Sequence, residues 1–246
     1  MKPQKIKLFC FGFGQVAMNF VKTIFSEGLN LEFNVTSRKD SHTFKFNNQS
    51  YNSYFLDNYK FDKALLKKLE SADYILISIP PVNKEDIVIK NFSTFINGCK
   101  WITYLSATSV YGNHNGEWVN ETSKTNPTSS NGIARLNAEN SWRNLAKKFD
   151  LPLQIFRLAG IYSNELNILK RLQSGKLQIV DKKNHFFSRI HVEDIAHILF
   201  KSLNNFKNNE IYNICDDKPA SQSDVAAYGA KLLKIEQPNF VKLEEV

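Results

Sequence analysis

An apolar run at residues 6–11 predicts a buried strand, and the residues after it predict a turn into a helix. Apolar side chains from Val16 to Phe25 recur on one face of that helix. The helix is expected to end near Glu27, because Gly28 is placed to terminate it. The chain is therefore expected to begin with a strand, a glycine turn and a helix.

The turn reads Gly-Phe-Gly-Gln-Val-Ala over residues 12–17. Gly12 permits a tight turn, Gly14 lets a pyrophosphate approach the backbone, and Ala17 lets the helix pack closely on the strand. The N-terminus of the helix adds free N–H groups and a partial positive charge. We therefore predict that a dinucleotide binds at Gly12, Gly14, Gln15 and Val16. The alternative is an ordinary glycine turn of an α/β protein.

Further along, apolar runs that predict strands alternate with segments that predict helices. The continuous apolar run at residues 72–79 is typical of a central parallel strand covered on both faces. This order predicts an α/β fold with a doubly wound parallel sheet of the Rossmann type. Residues 1–164 are expected to form this core, and residues 165–246 a small substrate-side region, of which 191–217 return to the core.

The ligand of such a sheet is expected at the carboxyl ends of its strands. The residues that the sequence places there, besides the glycine turn, are Ser37, Arg38, Asp57, Ser78, Ile79, Pro80 and Ser106.

The end of the second predicted strand bears on the choice of cofactor. An acidic residue at this point binds the adenosine ribose of NAD, whereas an arginine accommodates the 2′-phosphate of NADP. Ser37 and Arg38 therefore favour NADP, and Asp40, two residues later, keeps NAD possible.

Composition excludes several classes of protein. The formal net charge is +8, but the lysines are scattered and no DNA-binding motif is present, so nucleic-acid binding is not expected. No cysteine or histidine spacing indicates a metal site. Cys10, Cys99 and Cys215 are interpreted as buried free thiols of a reducing compartment. The N-terminus predicts neither a signal peptide nor a membrane span, which makes the cytoplasm the expected location.

Four later segments resemble, in the same order, those of the extended short-chain dehydrogenases, also called the NAD-dependent epimerase/dehydratase family. Residues 105–112, LSATSVYG, are similar to the family's Ser-Ser-x-x-Val-Tyr-Gly segment. Residues 155–162, IFRLAGIY, resemble its Leu-Arg-x-x-x-Val-Tyr-Gly strand end, which adds Ala159 to the expected cofactor contacts. Residues 189–196, RIHVEDIA, and 210–217, EIYNICDD, resemble its Phe-Ile-His-Val-Asp-Asp and Tyr-Asn-Val-Gly segments.

The chain also departs from this family. The resemblance implies a catalytic Ser or Thr, a Tyr and a Lys, but Ala107, Asn131 and Arg135 stand at the corresponding positions. Asn131 cannot titrate and Arg135 stays protonated, so neither can replace a phenolate base. Arg135 retains the ability to bind a nicotinamide ribose or a phosphate. Phe11 also replaces the first glycine of the family's turn. The chain thus resembles the atypical branch of the family.

A replacement acid or base has to come from nearby. Ser106 and Tyr111 are the candidate catalytic residues, although Tyr111 is also typical of a packing tyrosine. His114 paired with Glu117 or Glu121 is a further candidate, against the simpler interpretation of a solvated loop histidine.

Farther along the chain, His191 is expected to be either a cap of the helix that follows it or a packing group, in preference to a catalytic role. For Arg189, contact with an anionic substrate and a surface pairing role are both open.

The helix predicted over residues 131–149 has an apolar stripe at Ala138, Trp142, Leu145 and Phe149. In the resembling family this helix and the one near residue 90 form a dimer interface, so a homodimer is a hypothesis. The segment after Tyr162 is short for a family that binds nucleotide sugars. Either the C-terminus is truncated or the substrate site is small, and sugar-nucleotide epimerisation is not expected.

Two functions follow. The first is an NAD(P)-dependent oxidoreductase or epimerase/dehydratase-like enzyme that acts on a small molecule. The second is a non-catalytic NAD(P)-binding sensor or regulatory protein, favoured by the residues at positions 107, 131 and 135.

Overall fold

The computed structural model describes residues 5–175, 179–181, 185–238 and 240–242. Its centre is a mainly parallel sheet with helices on both faces. The predicted fold class, a doubly wound α/β fold, is confirmed.

In chain order, the strands are β1 (Ile6–Phe11), β2 (Leu31–Ser37), β3 (His42–Phe46), β4 (Gln49–Asp57), β5 (Lys60–Phe61), β6 (Tyr74–Ile77), β7 (Trp101–Ala107), β8 (Leu153–Leu158), β9 (Gly160–Tyr162), β10 (Ile179–Asp181), β11 (Arg189–His191), β12 (Glu210–Ile214) and β13 (Phe240–Lys242). The helices are α1 (Gln15–Ser26), α2 (Leu65–Glu70), α3 (Ile87–Phe92), α4 (Ser130–Phe149), α5 (Ile168–Gln173), α6 (Val192–Ser202) and α7 (Gln222–Leu233).

The main sheet has the order β12-β8-β7-β6-β1-β2-β4-β3, and β5 pairs with β4. All pairs from β12 to β4 are parallel, whereas β3 and β5 run antiparallel to β4. Strands β3 and β4 form the hairpin expected at residues 41–54. The carboxyl ends of β1, β6, β7 and β8 consequently lie side by side at one edge of the sheet, which is where such folds bind ligands.

Two hydrophobic clusters cover the two faces of this sheet. On one face α1 packs beside α6, and Phe20 stacks on Trp101 with ring centroids 5.9 Å apart. On the other face α2, α3 and α4 bury Leu65, Phe92 and Trp142. Strands β6 and β7 lie between the two layers, which explains why their sequences are continuously apolar.

Two small parallel sheets stand outside the main one: β9 pairs with β11, and β10 pairs with β13. Strand β9 begins two residues after β8 ends, and β11 leads directly into α6. The β9–β11 pair is therefore continuous in the chain with β8 and α6 of the core. Residues 177 and 178 of a strand expected at 177–181 lie outside the described residues.

Several predicted positions differ in the structure. Strand β6 is shorter than the apolar run at 72–79, because the chain leaves the sheet after Ile77. Phe61 lies in β5 and not in the following helix, because residues 60–61 pair with the end of β4.

Two burial predictions were also wrong. Phe149 is 52% exposed at the last turn of α4, and Glu139 and Ala146 are buried on that helix instead. Cys215 is exposed because it follows the end of β12, whereas Cys10 and Cys99 are buried as predicted.

Candidate functional site

The glycine turn between β1 and α1 is as tight as the sequence predicts. Gly12 has a φ of +89°, and a Cβ atom there would lie 2.7 Å from Cγ2 of Ile79. Its N–H donates to Oγ1 of Thr36 at 2.9 Å. Gly12 is therefore required both by its backbone conformation and by the proximity of β6.

Gly14 meets a different requirement. Its φ of −79° is ordinary, and a Cβ atom there would have no neighbour within 4 Å. It is the N-cap of α1, no side chain caps this helix, and no acidic residue lies in its first turn. Ala17 is fully buried against the sheet. The turn thus presents open space before an uncapped helix N-terminus, which fits the pyrophosphate of a dinucleotide.

Aromatic residues surround the turn, and one of them, Phe11, stands at the position of the first glycine in the turn of the resembling family. Phe11 is fully buried beside Phe9 and Phe92. Phe13 stacks on Phe33 at 5.6 Å and contacts Phe44 of the hairpin. These rings fill the core on either side of the backbone and leave the approach to Gly14 open.

The end of β2 presents the side chains expected to read the adenosine end of a cofactor. Oγ of Ser37 accepts a hydrogen bond from Ser53 at 3.0 Å and donates to the carbonyl of Lys39. Arg38 and Asp40 are exposed. Among the described residues, the Arg38 side chain has no hydrogen bond or ion pair, so it is free to meet a phosphate.

The other predicted cofactor contacts are divided between two places. Ser78 lies at the end of β6 and donates from its Oγ to the carbonyl of Phe11 at 3.0 Å, so Ser78, Ile79 and Pro80 adjoin the glycine turn. Asp57 ends β4, and β2 lies between that strand and β1. Asp57 is therefore on the adenosine side of the site, one strand beyond Arg38.

A buried network occupies the ends of β7 and β8. Oγ of Ser106 donates to Oε1 of Glu139 at 2.5 Å, and Nη2 of Arg157 donates to Oε2 of Glu139 at 2.7 Å. Nη1 of Arg157 also donates to the hydroxyl of Tyr111 at 2.9 Å, and that hydroxyl donates to Oδ1 of Asn213 at 2.7 Å. The hydroxyl groups of both candidate catalytic residues are thus already engaged, which favours the packing interpretation for Tyr111.

The arginine of this network carries a full charge. Burial lowers the pKa of Arg157, but its hydrogen bonds with Glu139 and Tyr111 outweigh burial and raise that pKa overall. The guanidinium remains protonated, and Glu139 is its buried counter-ion.

The remaining predicted positions lie around the same edge. Arg135 donates from Nη1 to the carbonyl of Leu105 at 2.7 Å and to the hydroxyl of Tyr104 at 3.2 Å, so it is tethered to β7. Asn131 is exposed in the first turn of α4, and Ala107 ends β7. Ala159 is buried, and its N–H donates to the carbonyl of residue 214 in β12 at 3.0 Å.

The loop at residues 113–122 does not assemble the acid/base pair considered above. Nε2 of His114 lies 3.1 Å from the carbonyl oxygen of Lys124, and Oε1 of Glu121 accepts from the backbone N–H of Asn213. Glu117 contacts His114 only through the backbone. Trp118 is 78% exposed on this loop.

His191 caps α6, as predicted. Its Nδ1 accepts from the N–H of Glu193 at 3.4 Å, and its ring lies 5.1 Å from that of Tyr162. Nη1 of Arg189 donates to the carbonyls of Phe187 and Ala220.

A cavity of about 370 Å³ opens between β9, β11, α5 and α7, and Arg189 lines it. Tyr162, Leu166, Ile168, Arg171 and Phe187 also contribute to its walls. Gly160, at one side of the cavity, directly follows Ala159, so the cavity adjoins the edge where the cofactor is predicted. Sequence reasoning missed Arg171 and Phe187, because only the fold brings α5 and the segment before β11 together.

Within the described part of the chain, no helix is long and apolar enough to cross a membrane. The same residues contain no group of three or more His, Cys, Asp or Glu side chains placed to hold a metal ion.

Comparison with known proteins identifies the family. A profile described as NAD dependent epimerase/dehydratase family matches residues 88–215, which is more than half of the chain. The chain belongs to this family. No curated protein matches it significantly.

Solved structures extend the match to the whole fold. A functionally unknown conserved protein from Silicibacter pomeroyi is 30% identical with a TM-score of 0.82, over 97% of this chain and 82% of that one. UDP-glucuronic acid 4-epimerase from Bacillus cereus, in complex with NAD, is 19% identical with a TM-score of 0.77, over 97% and 87%. The dTDP-glucose 4,6-dehydratase from Streptomyces venezuelae, with NAD bound, is 16% identical with a TM-score of 0.77, over 97% and 84%. The last two show the fold alone.

Proposed function

We propose that this chain is an NAD(P)-dependent enzyme that acts on a small molecule bound in the cavity beside β9. The observation that carries the proposal is the glycine turn: open space at Gly14 in front of the uncapped N-terminus of α1. Two proteins of similar fold are an epimerase and a dehydratase with NAD bound, which supports the same chemistry here.

In this proposal the pyrophosphate lies on the backbone of residues 12–16, and the adenosine end lies beside Ser37, Arg38 and Asp57. Ala159, after the end of β8, would be a further contact of the cofactor. The bound cofactor would accept or donate a hydride. The chain binds and orients the cofactor and the substrate.

NADP is the cofactor we favour. Arg38 is exposed at the end of β2 without a partner among the described side chains, and a guanidinium binds a 2′-phosphate through paired hydrogen bonds. Asp40 is also exposed, and its carboxylate keeps NAD as the alternative cofactor.

A second function has its own supporting observation. Ser106 and Tyr111 both have their hydroxyl groups engaged in the Arg157–Glu139 network. If no other group transfers a proton, the chain would bind NAD(P) and respond to it without turning over a substrate.

Calorimetric titration with NADPH and NADH, in wild type and in Arg38→Ala, tests the proposal. We expect NADPH to bind, and Arg38→Ala to weaken that binding about tenfold, which corresponds to roughly 1.4 kcal/mol, with NADH little changed. Absence of binding by either nucleotide would overturn the proposal. Tight binding with no cofactor-dependent turnover across a screen of small substrates would favour the second function.

A further inference from the structure

The cavity beside β9 has a chemistry that defines the class of its ligand. We infer that it binds a small organic monoanion, namely a carboxylate attached to an apolar or aromatic body. This inference rests on the proposed function, in which the same cavity holds the substrate.

The charge of the ligand follows from the two arginines of the cavity, Arg171 and Arg189. Arg189 is partly buried and held by two backbone carbonyls. Burial lowers its pKa, and the charge of Asp216 opposes that effect. The backbone N–H of Asp216 donates to the carbonyl of Arg189 at 2.7 Å, so the two residues adjoin. Asp216 therefore offsets the charge of Arg189. Arg171 has no acidic partner among the described side chains. The carboxylate of Glu165 pairs instead with the adjacent Lys170, with 2.7 Å between Oε2 and Nζ. One uncompensated guanidinium favours a monoanion, and its planar pair of N–H donors matches a carboxylate.

Glu165 and Asp224 adjoin lining residues of the cavity in sequence, and their carboxylates accept hydrogen bonds from Lys170 and Ser221. Asp194 lies in the exposed first turn of α6, and its charge, like that of Asp216, affects the pKa of Tyr162. Burial and these two carboxylates raise the pKa of Tyr162, so that its hydroxyl is protonated at neutral pH. Tyr162 thus presents a neutral donor and an aromatic ring to the ligand.

The body of the ligand follows from the walls and the size of the cavity. Tyr162, Leu166, Ile168, Phe187 and Val225 supply apolar surface to the same cavity as the arginines. The Phe187 ring lies beside Arg189, whose Cζ is 5.9 Å from the ring centroid. Leu166 and Phe187 are 53% and 43% exposed, which is a large apolar exposure for side chains that already line a concavity. A volume of about 370 Å³ lies near the lower end of the range for small-molecule sites. It suits a ring or branched chain with one acidic group.

The test compares phenylacetate with its neutral analogue phenylacetamide, with propionate and with phenyl phosphate, by calorimetric titration of the full chain. We expect phenylacetate to bind at least about tenfold more tightly than the amide, since a charge-assisted pair is lost with the amide. Propionate, which lacks the ring, and phenyl phosphate, a dianion, should both bind more weakly. Equal binding of the amide, tighter binding of the phosphate, or no binding of phenylacetate would overturn the inference.

Variants locate the binding. Arg171→Gln should weaken phenylacetate binding about tenfold without changing the melting temperature, because Arg171 is exposed. The matched control is Arg143→Gln, which removes an exposed arginine of α4 and should leave binding unchanged. Unchanged binding in Arg171→Gln would also overturn the inference. Titration of NADPH with the same samples separates the two proposals: NADPH binding without phenylacetate binding contradicts only this inference, and the reverse contradicts only the proposed function.

Discussion

Arg157 and Glu139 form an ion pair of 2.7 Å between Nη2 and Oε2, with only 5% and 2% of their side chains exposed. The pair joins the end of β8 to the middle of α4. Because Ser106 and Tyr111 bond to the same two side chains, the pair also fixes the ends of β7 and the turn after it. This buried network therefore stabilises the edge of the sheet where the cofactor is proposed to lie.

Replacing Glu139 by Gln should destabilise the fold strongly, because it leaves the Arg157 charge buried without a counter-ion. Breaking one side of a buried pair typically costs about 3–5 kcal/mol, to be measured by urea unfolding. The exposed pair of Glu165 with Lys170 is the control, and Glu165→Gln should leave the free energy of unfolding nearly unchanged. If both variants lost only a similar, small amount of unfolding free energy, the buried pair would not be important for the stability of the fold.

The two glycines of the turn should respond differently to alanine. In Gly14→Ala the new Cβ enters open space, so the unfolding free energy should change by less than about 1 kcal/mol. NADPH affinity should fall about tenfold or more, since the methyl group takes the place proposed for the pyrophosphate.

Gly12→Ala serves as the comparison. Its positive φ and the 2.7 Å approach to Ile79 should cost stability, with the backbone strain alone worth about 1–3 kcal/mol. Unfolding curves and calorimetry on both variants separate folding from binding. If NADPH affinity were unchanged in Gly14→Ala, the turn would not be part of the cofactor site.

Local patterns predicted the parts of this fold that depend on local chemistry. Gly12 needed a positive φ and Ala17 needed close packing, and both requirements are visible in residues 12–17 themselves. His191 was recognisable as a cap because acidic residues follow it in the first turn of α6.

Long-range pairings were not visible in the same way. The burial of Glu139 was not predicted, because a single Glu in a helix is usually a surface residue. Its partner, Arg157, lies on another element, so the pairing is not visible in the local sequence. The cavity was missed because α5, α7 and β11 meet only in the folded chain. The homodimer stays a prediction.

Cysteine reactivity should follow burial. Cys215 is exposed, and partial burial together with the charges of Asp216 and Glu121 raises its pKa. Cys99 and Cys10 are buried, and burial raises the pKa of Cys99 to about 11 and that of Cys10 even further. Iodoacetamide at pH 8 should therefore add one label to the native protein, mapped to Cys215 by mass spectrometry. All three thiols should react in denaturant, and Cys215→Ser should remove the native label. Rapid native labelling of Cys10 would contradict the packing of β1.

The last prediction concerns Asp86, which caps α3 and accepts a hydrogen bond from Nε1 of Trp142 at 3.0 Å. Removal from water raises its pKa above the ordinary value of 3.8, and the hydrogen bonds offset this only in part. The folded state thus holds the proton more tightly than the unfolded chain. The stability of wild type relative to Asp86→Asn should then decrease as the pH rises from about 4 through the raised pKa.

Asp62 provides a control of the opposite sign. It is exposed, and hydrogen bonds from Ser41 and from the N–H of Ala64 lower its pKa. Relative to Asp62→Asn, wild type should lose stability as the pH falls through that lowered pKa. Urea unfolding of the three proteins between pH 3 and pH 8 measures both slopes. If both variants gave the same sign of slope, the burial of Asp86 would not govern its titration, and the contact between α3 and α4 would need another explanation.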